Sequence, residues 1–121
     1  MNPSDVVTEF IRAIEAKDLD TAMTHVSPDC EYDNVPMGKL FGLDDIRSTL
    51  ARAVERSDEI EWVIHRQIAD GPIVFNERVD RFRTGDKWIE LPLAGVFEVT
   101  DGKITLWRDY FDLPTYRDQM T

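Results

Sequence analysis

Hydrophobic and polar positions along the chain change period once, near Asp58. Before that point most apolar residues recur three and four apart. Val6, Val7, Phe10, Ile11 and Ile14 form one stripe behind Pro3-Ser4-Asp5, a helix-start signal with Ser or Asp as the cap. Lys17-Asp18 interrupts the stripe. Leu19, Ala22, Met23 and Val26 continue it as a second short helix, which Ser27-Pro28 ends. Cys30 to Val35 reads as a short strand, closed by Pro36 and a loop containing Gly38. A third helix begins near Gly42, with Asp44 and Asp45 favourable in its first turn and Ile46, Leu50, Ala53 and Val54 as its buried face.

Beyond Asp58 the period is two. Ile60, Trp62 and Ile64 alternate with Glu61 and His65, and Asp70-Gly71-Pro72 turns the chain into a strand from Ile73 to Phe82. Thr84-Gly85-Asp86 makes a second turn. Trp88 to Val99 then carries Ile89, Leu91, Leu93, Gly95 and Phe97 on one face. Asp101-Gly102 leads into a last strand, Ile104 to Phe111, followed by Pro114 and a short polar tail from Thr115. Pro92 lies inside the long strand, which predicts an edge position or a bulge there. Helices, a strand, a helix and four strands on tight turns predict an α+β fold in one domain, residues 1–121. Its sheet is strongly curved, mostly antiparallel or mixed, and forms a cone with the N-terminal helices and third helix on the concave side.

The charged positions disturb this picture. Side chains alternate along a strand, so Val74, Asn76, Arg78, Asp80 and Phe82 share one face, and Trp107, Asp109 and Phe111 share another. Burying a charge costs several kcal/mol unless it is paired. Arg78 with Asp80 alone would read as a structural ion pair. A second carboxylate, Asp109, between two aromatics suggests instead an Asp–Arg–Asp unit lining a pocket. Tyr32 and Asn34 also share a face, either at an exposed strand edge or beside that unit.

Composition narrows the function. A chain of 121 residues with 42% hydrophobic content is long enough for one core and an internal cavity. A net charge of −10 argues against nucleic acid as a partner, and it disfavours anionic membranes and anionic substrates unless a local arginine overrides it. The single cysteine, Cys30, permits no intrachain disulfide and reads as a small buried residue. The N-terminus has no basic signal region, and nothing approaches the roughly 20 apolar residues that span a bilayer, so a cytoplasmic protein is expected. His25 and His65 are too scattered to form a metal motif. No G-x-S-x-G, P-loop or dinucleotide fingerprint is present, and no metal or cofactor is expected.

Tyr32-x-Asn34-x-Pro36, Glu77-Arg78-Val79-Asp80, Gly95-Val96-Phe97 and Gly102-Lys103-Ile104-Thr105-x-Trp107-Arg108-Asp109-Tyr110-Phe111-Asp112 together resemble the limonene-1,2-epoxide hydrolase family. That family has the cone-shaped fold shared with ketosteroid isomerases, polyketide cyclases and nuclear transport factor 2. The resemblance implies hydrolysis of an epoxide to a vicinal diol in one step, without a covalent intermediate. It makes Asp109 the base that deprotonates a water also held by Tyr32 and Asn34. It makes Asp80 the protonated acid, with Arg78 between the two. The rest of the wall is then expected to be apolar, from Val35, Phe82, Leu91, Leu93 and Phe111. The partners expected are a small epoxide and water, with a second copy of the chain as a homodimer and Trp88 as an interface candidate. Two other readings share these residues: an isomerase or polyketide cyclase on the same scaffold, and a non-catalytic binding or dimerisation module without a cavity.

Overall fold

The computed structural model describes residues 1–120. Along the chain run α1 (Pro3–Glu15), α2 (Leu19–Met23), β1 (Val26–Asn34), β2 (Gly38–Phe41), α3 (Leu43–Arg56), β3 (Glu59–Asp70), β4 (Ile73–Thr84), β5 (Lys87–Thr100), β6 (Lys103–Tyr110) and α4 (Leu113–Gln119). The strands form one curved, open, mixed sheet in the order β2-β1-β6-β5-β4-β3. Among the described residues only the β1–β6 pairing is parallel; the others are antiparallel.

α1 begins two or three residues earlier than its sequence signal suggests. Asn2, not Ser4 or Asp5, is the cap, and its side chain accepts from the Asp5 amide at 2.8 Å. Pro3 makes this possible, because a proline in the first turn has no N–H to leave unpaired and a φ already suited to the helix. The apolar stripe of α1, from Val6 to Ile14, is buried on β3, β4, β5 and β6. Each large side chain so covered contributes about 1.5–3 kcal/mol. α2 is capped by Asp18, whose carboxylate accepts from the Thr21 amide at 3.1 Å. It stops at Met23, so Val26 belongs to β1 and not to the helix. Pro28 falls where β1 slips register against β6, an irregularity that tolerates a missing N–H.

Two elements lie where the sequence suggested loop and tail. β2 pairs with β1, placing Leu40 opposite Tyr32 and Gly38 opposite Asn34. The turn between them is closed by the Met37 amide donating to the Asn34 carbonyl at 2.7 Å, and Gly38 takes a φ of 130° that favours glycine. At the other end, α4 occupies what reads as a polar tail; the last residue of that tail, Thr121, lies outside the described residues. Asp112 caps α4, accepting from the Thr115 amide at 3.1 Å and its hydroxyl at 2.6 Å.

β5 is the longest strand, and only its second half meets β6. The β5–β6 register runs from Ala94 opposite Tyr110 to Thr100 opposite Lys103. From Lys87 to Leu93 the strand has β4 on one side only, and Pro92 sits there, at a local edge as its missing donor requires. α4 docks along this stretch: the Gln119 side chain accepts from the Glu90 amide and donates to the Glu90 carbonyl, both at 2.8 Å.

Asp112→Ala removes the cap of a helix that buries no residue of its own. About 1 kcal/mol of local stability is expected to go with it. Hydrogen exchange should then speed up roughly fivefold at the α4 amides, with the β4–β5 amides unchanged; uniform acceleration would show that α4 is bound into the global unfolding unit.

Candidate active site

A polar row crosses the concave face. Strand register places Asn34 of β1 beside Asp109 of β6, Asp109 opposite Gly95 of β5, Gly95 opposite Asn76 of β4, and Asn76 opposite Gln67 of β3. Arg78 and Asp80 follow Asn76 at two-residue steps, so all three project inward. Gly95 leaves room for the guanidinium. A Cβ at that position would clash with Arg78 Nη1 and stand only 2.8 Å from Asn76 Oδ1 and 3.1 Å from Asp109 Oδ1.

Arg78 is 1% exposed, and each edge of its guanidinium is used. Nε donates to Asp80 Oδ1 at 2.8 Å, while Nη2 donates to Asp109 Oδ2 at 2.8 Å and to Asp80 Oδ2 at a longer 3.3 Å. Nη1 donates to Asn76 Oδ1 at 2.9 Å. The Asn76 amide in turn donates to Gln67 Oε1 at 3.1 Å, and Gln67 Nε2 is fixed on α1 by the Ser4 and Thr8 hydroxyls. The other oxygen of Asp109, Oδ1, accepts from Trp107 Nε1 at 2.8 Å. The Trp107 ring stacks on Tyr32 at 3.8 Å, and the Tyr32 hydroxyl donates to Asn34 Oδ1 at 3.1 Å. All five polar residues singled out in the sequence are therefore together.

Burial sets the electrostatics. Desolvation pushes Asp80 up to about 7 against the opposing pull of Arg78, with the negative charge of Asp109 adding to the rise. Asp109 is also raised by desolvation, but Arg78 and the Trp107 indole N–H both work to keep it ionised. Burial works against the charge on Arg78, yet the two carboxylates outweigh it and hold the guanidinium firmly protonated. The Tyr32 phenol is raised by burial and by Asp109, so it stays a neutral donor. Outside the site, burial and then Asp29 and Glu31 push the Cys30 thiol up to about 12, which leaves no thiolate for nucleophilic chemistry at neutral pH.

A cavity of about 330 Å³ opens between the sheet, α3 and α4, with Tyr32, Asn34, Asp80 and Asp109 in its lining. Phe82, Leu91, Leu93 and Phe111 line it as expected, joined by Met37, Leu50, Trp62, Ile89, Tyr116 and Met120. Trp62 carries a buried Nε1 with no partner within the described protein. Val35 does not line the cavity. It is 41% exposed, because it shares the outward parity of Glu31 and Asp33 while Tyr32 and Asn34 face in. A more open depression of about 650 Å³ on the sheet, lined by His65, Arg66, Glu77, Val79 and Pro92 among others, touches neither Asp80 nor Asp109. Among the described residues no group of three or more His, Cys, Asp or Glu side chains could hold a metal ion.

Asn76, Gln67, Gly95 and Trp107 complete the site from behind, and strand parity by itself assigns none of them a part in it. Asn76 was on the inward face of β4, and Gly95 interrupted an apolar face. Those were the available signals. Gln67 had none, since a β-bulge at His65 shifts the alternation of β3 and turns Gln67 inward.

The family model for the limonene-1,2-epoxide hydrolase catalytic domain matches residues 1–121. The chain belongs to the limonene-1,2-epoxide hydrolase family. Family membership makes it an epoxide hydrolase. It is 39% identical over 107 residues to the epoxide hydrolase EphG of Mycobacterium tuberculosis, covering 88% of this chain and 71% of that protein. A solved structure of an LEH-like epoxide hydrolase from M. tuberculosis superposes with a TM-score of 0.86 at 36% identity, over 97% of this chain and 87% of the other. An NTF2-like protein of unknown function from Cytophaga hutchinsonii shares the fold at 21% identity, with a TM-score of 0.82 over 100% of this chain and 96% of its own. No helix among the described residues is long and apolar enough to cross a membrane.

Two outcomes follow from this geometry. Gly95→Ala is expected to displace Arg78 and lower epoxide turnover at least tenfold while a folded circular-dichroism spectrum persists; unchanged turnover would show that the guanidinium has slack. The proton retained by folded Asp80, raised from 3.8 to about 7, stabilises the native state fully below about pH 4, and that contribution is lost as pH rises through about 7. Asp80→Asn cannot lose it. The thermal midpoint of the variant relative to the wild type should therefore climb between pH 4 and 8, and a constant difference would contradict the raised pKa.

Proposed function

We propose that the protein adds water to a lipophilic epoxide, cyclic or terpene-like, giving a vicinal diol in one step by paired acid and base catalysis. The observation that supports this most is the single buried guanidinium bonded at 2.8 Å to each of two carboxylates that line one largely apolar cavity. An epoxide is a weak electrophile until its oxygen is protonated, and water is a weak nucleophile until a proton is taken from it. Acid and base acting together avoid both a free alkoxide and a free hydroxide. Each positioned proton transfer is worth about 10²–10⁴-fold in rate.

The roles divide by hydrogen bonding. Asp109 holds both oxygens against strong donors, Arg78 Nη2 and Trp107 Nε1, which favours its carboxylate form and suits a base. Tyr32 and Asn34 stand beside it on the cavity wall to hold the attacking water. Asp80 grips Arg78 through Oδ1 at 2.8 Å and only loosely through Oδ2 at 3.3 Å. Oδ2 is thus the oxygen that carries the proton and gives it to the epoxide. As the ring opens, the C–O electron pair goes to the oxygen that Asp80 protonates, and the water proton goes to Asp109. Arg78 holds the two carboxylates in register while their protonation exchanges. Side chains make both transfers, so the reaction calls for neither metal nor cofactor.

An isomerase or cyclase would need only a base and an oxyanion donor. A cation tied to both carboxylates exceeds that need and favours hydrolysis. A non-catalytic module implies no cavity beside Asp80, where one is found. We propose further that the chain acts in the cytoplasm as a single domain and pairs with a second copy through the outer sheet face. There Ile68 is 71% and Phe75 53% exposed, and the two lie opposite each other on β3 and β4. Trp88 is a weaker interface candidate, since Arg81 lies 4.1 Å over its ring.

Asp80→Asn and Asp109→Asn each keep an acceptor for Arg78 and are expected to fold, yet to lose 10²-fold or more of cyclohexene oxide hydrolysis. A variant that keeps wild-type turnover removes that residue from the mechanism. In the wild type, kcat should fall as pH rises above about 7 and Asp80 loses its proton. A single turnover in oxygen-18 water should label the diol directly; unlabelled product would reveal an ester intermediate. For assembly, Phe75→Asp should convert a dimer to a monomer in light scattering, and a monomeric wild type would refute the pairing.

A further inference from the structure

The cavity has two cations at its mouth that the hydrolytic chemistry does not use. Thr49, Arg52, Ala53 and Arg56 of α3 all line it, at the three- and four-residue spacing that puts them on one helix face. Neither Arg52 nor Arg56 has a side-chain hydrogen bond or ion pair among the described residues. Every other arginine outside α4 has one: Arg12, Arg47, Arg66, Arg81, Arg83 and Arg108 pair with surface carboxylates, and Arg78 with the buried two. The chain carries 24 Asp and Glu against 14 Lys and Arg, so carboxylates to neutralise this pair are abundant in the sequence. Among the described residues none lines the cavity except Asp80 and Asp109.

The helix itself does not account for the pair. Arg56 is in the last turn of α3, where a cation is favoured, but Arg52 lies a full turn earlier. Like charges at that spacing cost a few tenths of a kcal/mol. What the pair does supply is a local positive field at the entrance of an apolar cavity on a protein of net charge −10. Guanidinium groups match a carboxylate by paired, charge-assisted hydrogen bonds.

We infer that Arg52 and Arg56 form a subsite for an anionic group, and that the preferred substrates are lipophilic epoxides bearing a carboxylate, with the oxirane at Asp80 and Asp109 and the acid at the mouth. This inference rests on the hydrolase reading above and adds the substrate class to it. Between the two ends the molecule runs along Phe82, Ile89 and Leu91. The anion stays hydrated at the rim, so its contribution to affinity is moderate and sensitive to salt.

The test compares cis-epoxyalkanoic acids of increasing length with their methyl esters, which share the oxirane and lack the charge. Wild-type kcat/KM should favour the acid about tenfold at an optimal chain length, chiefly through KM, and 0.5 M salt should shrink the preference. In Arg52→Gln/Arg56→Gln the acid-to-ester ratio should fall to about one, whereas Arg66→Gln, which removes the same charge from the outer face, should keep it. Glutamine is a good helix former, so the double variant retains α3. Equal wild-type rates for acid and ester, or a preference that survives the double substitution, would overturn the subsite. Calorimetric binding of nonanoate against 1-nonanol gives a readout free of catalysis: the acid should bind tighter to the wild type and not to the double variant. If neither epoxide series is opened, the hydrolase reading fails, and this binding comparison alone decides the arginine subsite.

Discussion

A guanidinium with almost no contact with water is the constraint around which this molecule is arranged. Arg78 cannot shed its charge, and leaving such a charge unpaired inside a protein would cost several kcal/mol. It therefore dictates its surroundings. Two carboxylates lie on its Nε and Nη2 side, a neutral amide takes Nη1, and the strand opposite has no side chain where the guanidinium passes. The carboxylates in turn need the arginine, because neither would remain ionisable in this setting without it. Mutual dependence of this kind leaves both carboxyl groups raised above the ordinary carboxylate range, Asp80 to about 7.

The sheet supplies the precision. Four strands contribute polar side chains to the centre, and their register alone brings Asn34, Asp109, Gly95 and Asn76 into one row. Tyr32, Trp107 and Phe97 form the stacked layer beneath it. Because strand register is slower to drift than loop conformation, distances within the site are held by hydrogen-bonded ladders. The rest of the cavity wall comes from α3, α4, the turn at Met37 and apolar strand side chains such as Phe82 and Leu91.

Much of this was legible in the sequence because alternation is a strict rule. Two-residue parity placed Arg78 and Asp80 together, and a carboxylate between Trp107 and Phe111 signalled a second buried charge. The same rule, applied to Val35, would have placed it outward beside Asp33. What stayed hidden has physical causes. β2 is short and mostly exposed, and α4 buries nothing, so neither leaves an apolar period to read. α4 did carry a cap followed by proline, Asp112-Leu113-Pro114, the same device that opens α1 at Asn2-Pro3. Gln67 could not be found at all, since a bulge reverses its parity and no sequence pattern announces that bulge.

The parallel contact between β1 and β6 has a consequence for how the enzyme comes into being. It joins Asn34, from the early part of the chain, to Asp109, near its end, whereas β3, β4, β5 and β6 follow one another through short turns. Loop-closure entropy disfavours that distant contact until the hairpins are in place. Asp80 and Asp109 therefore meet within a local meander, and the wall of Tyr32 and Asn34 reaches Asp109 only through the one pairing that no short turn closes.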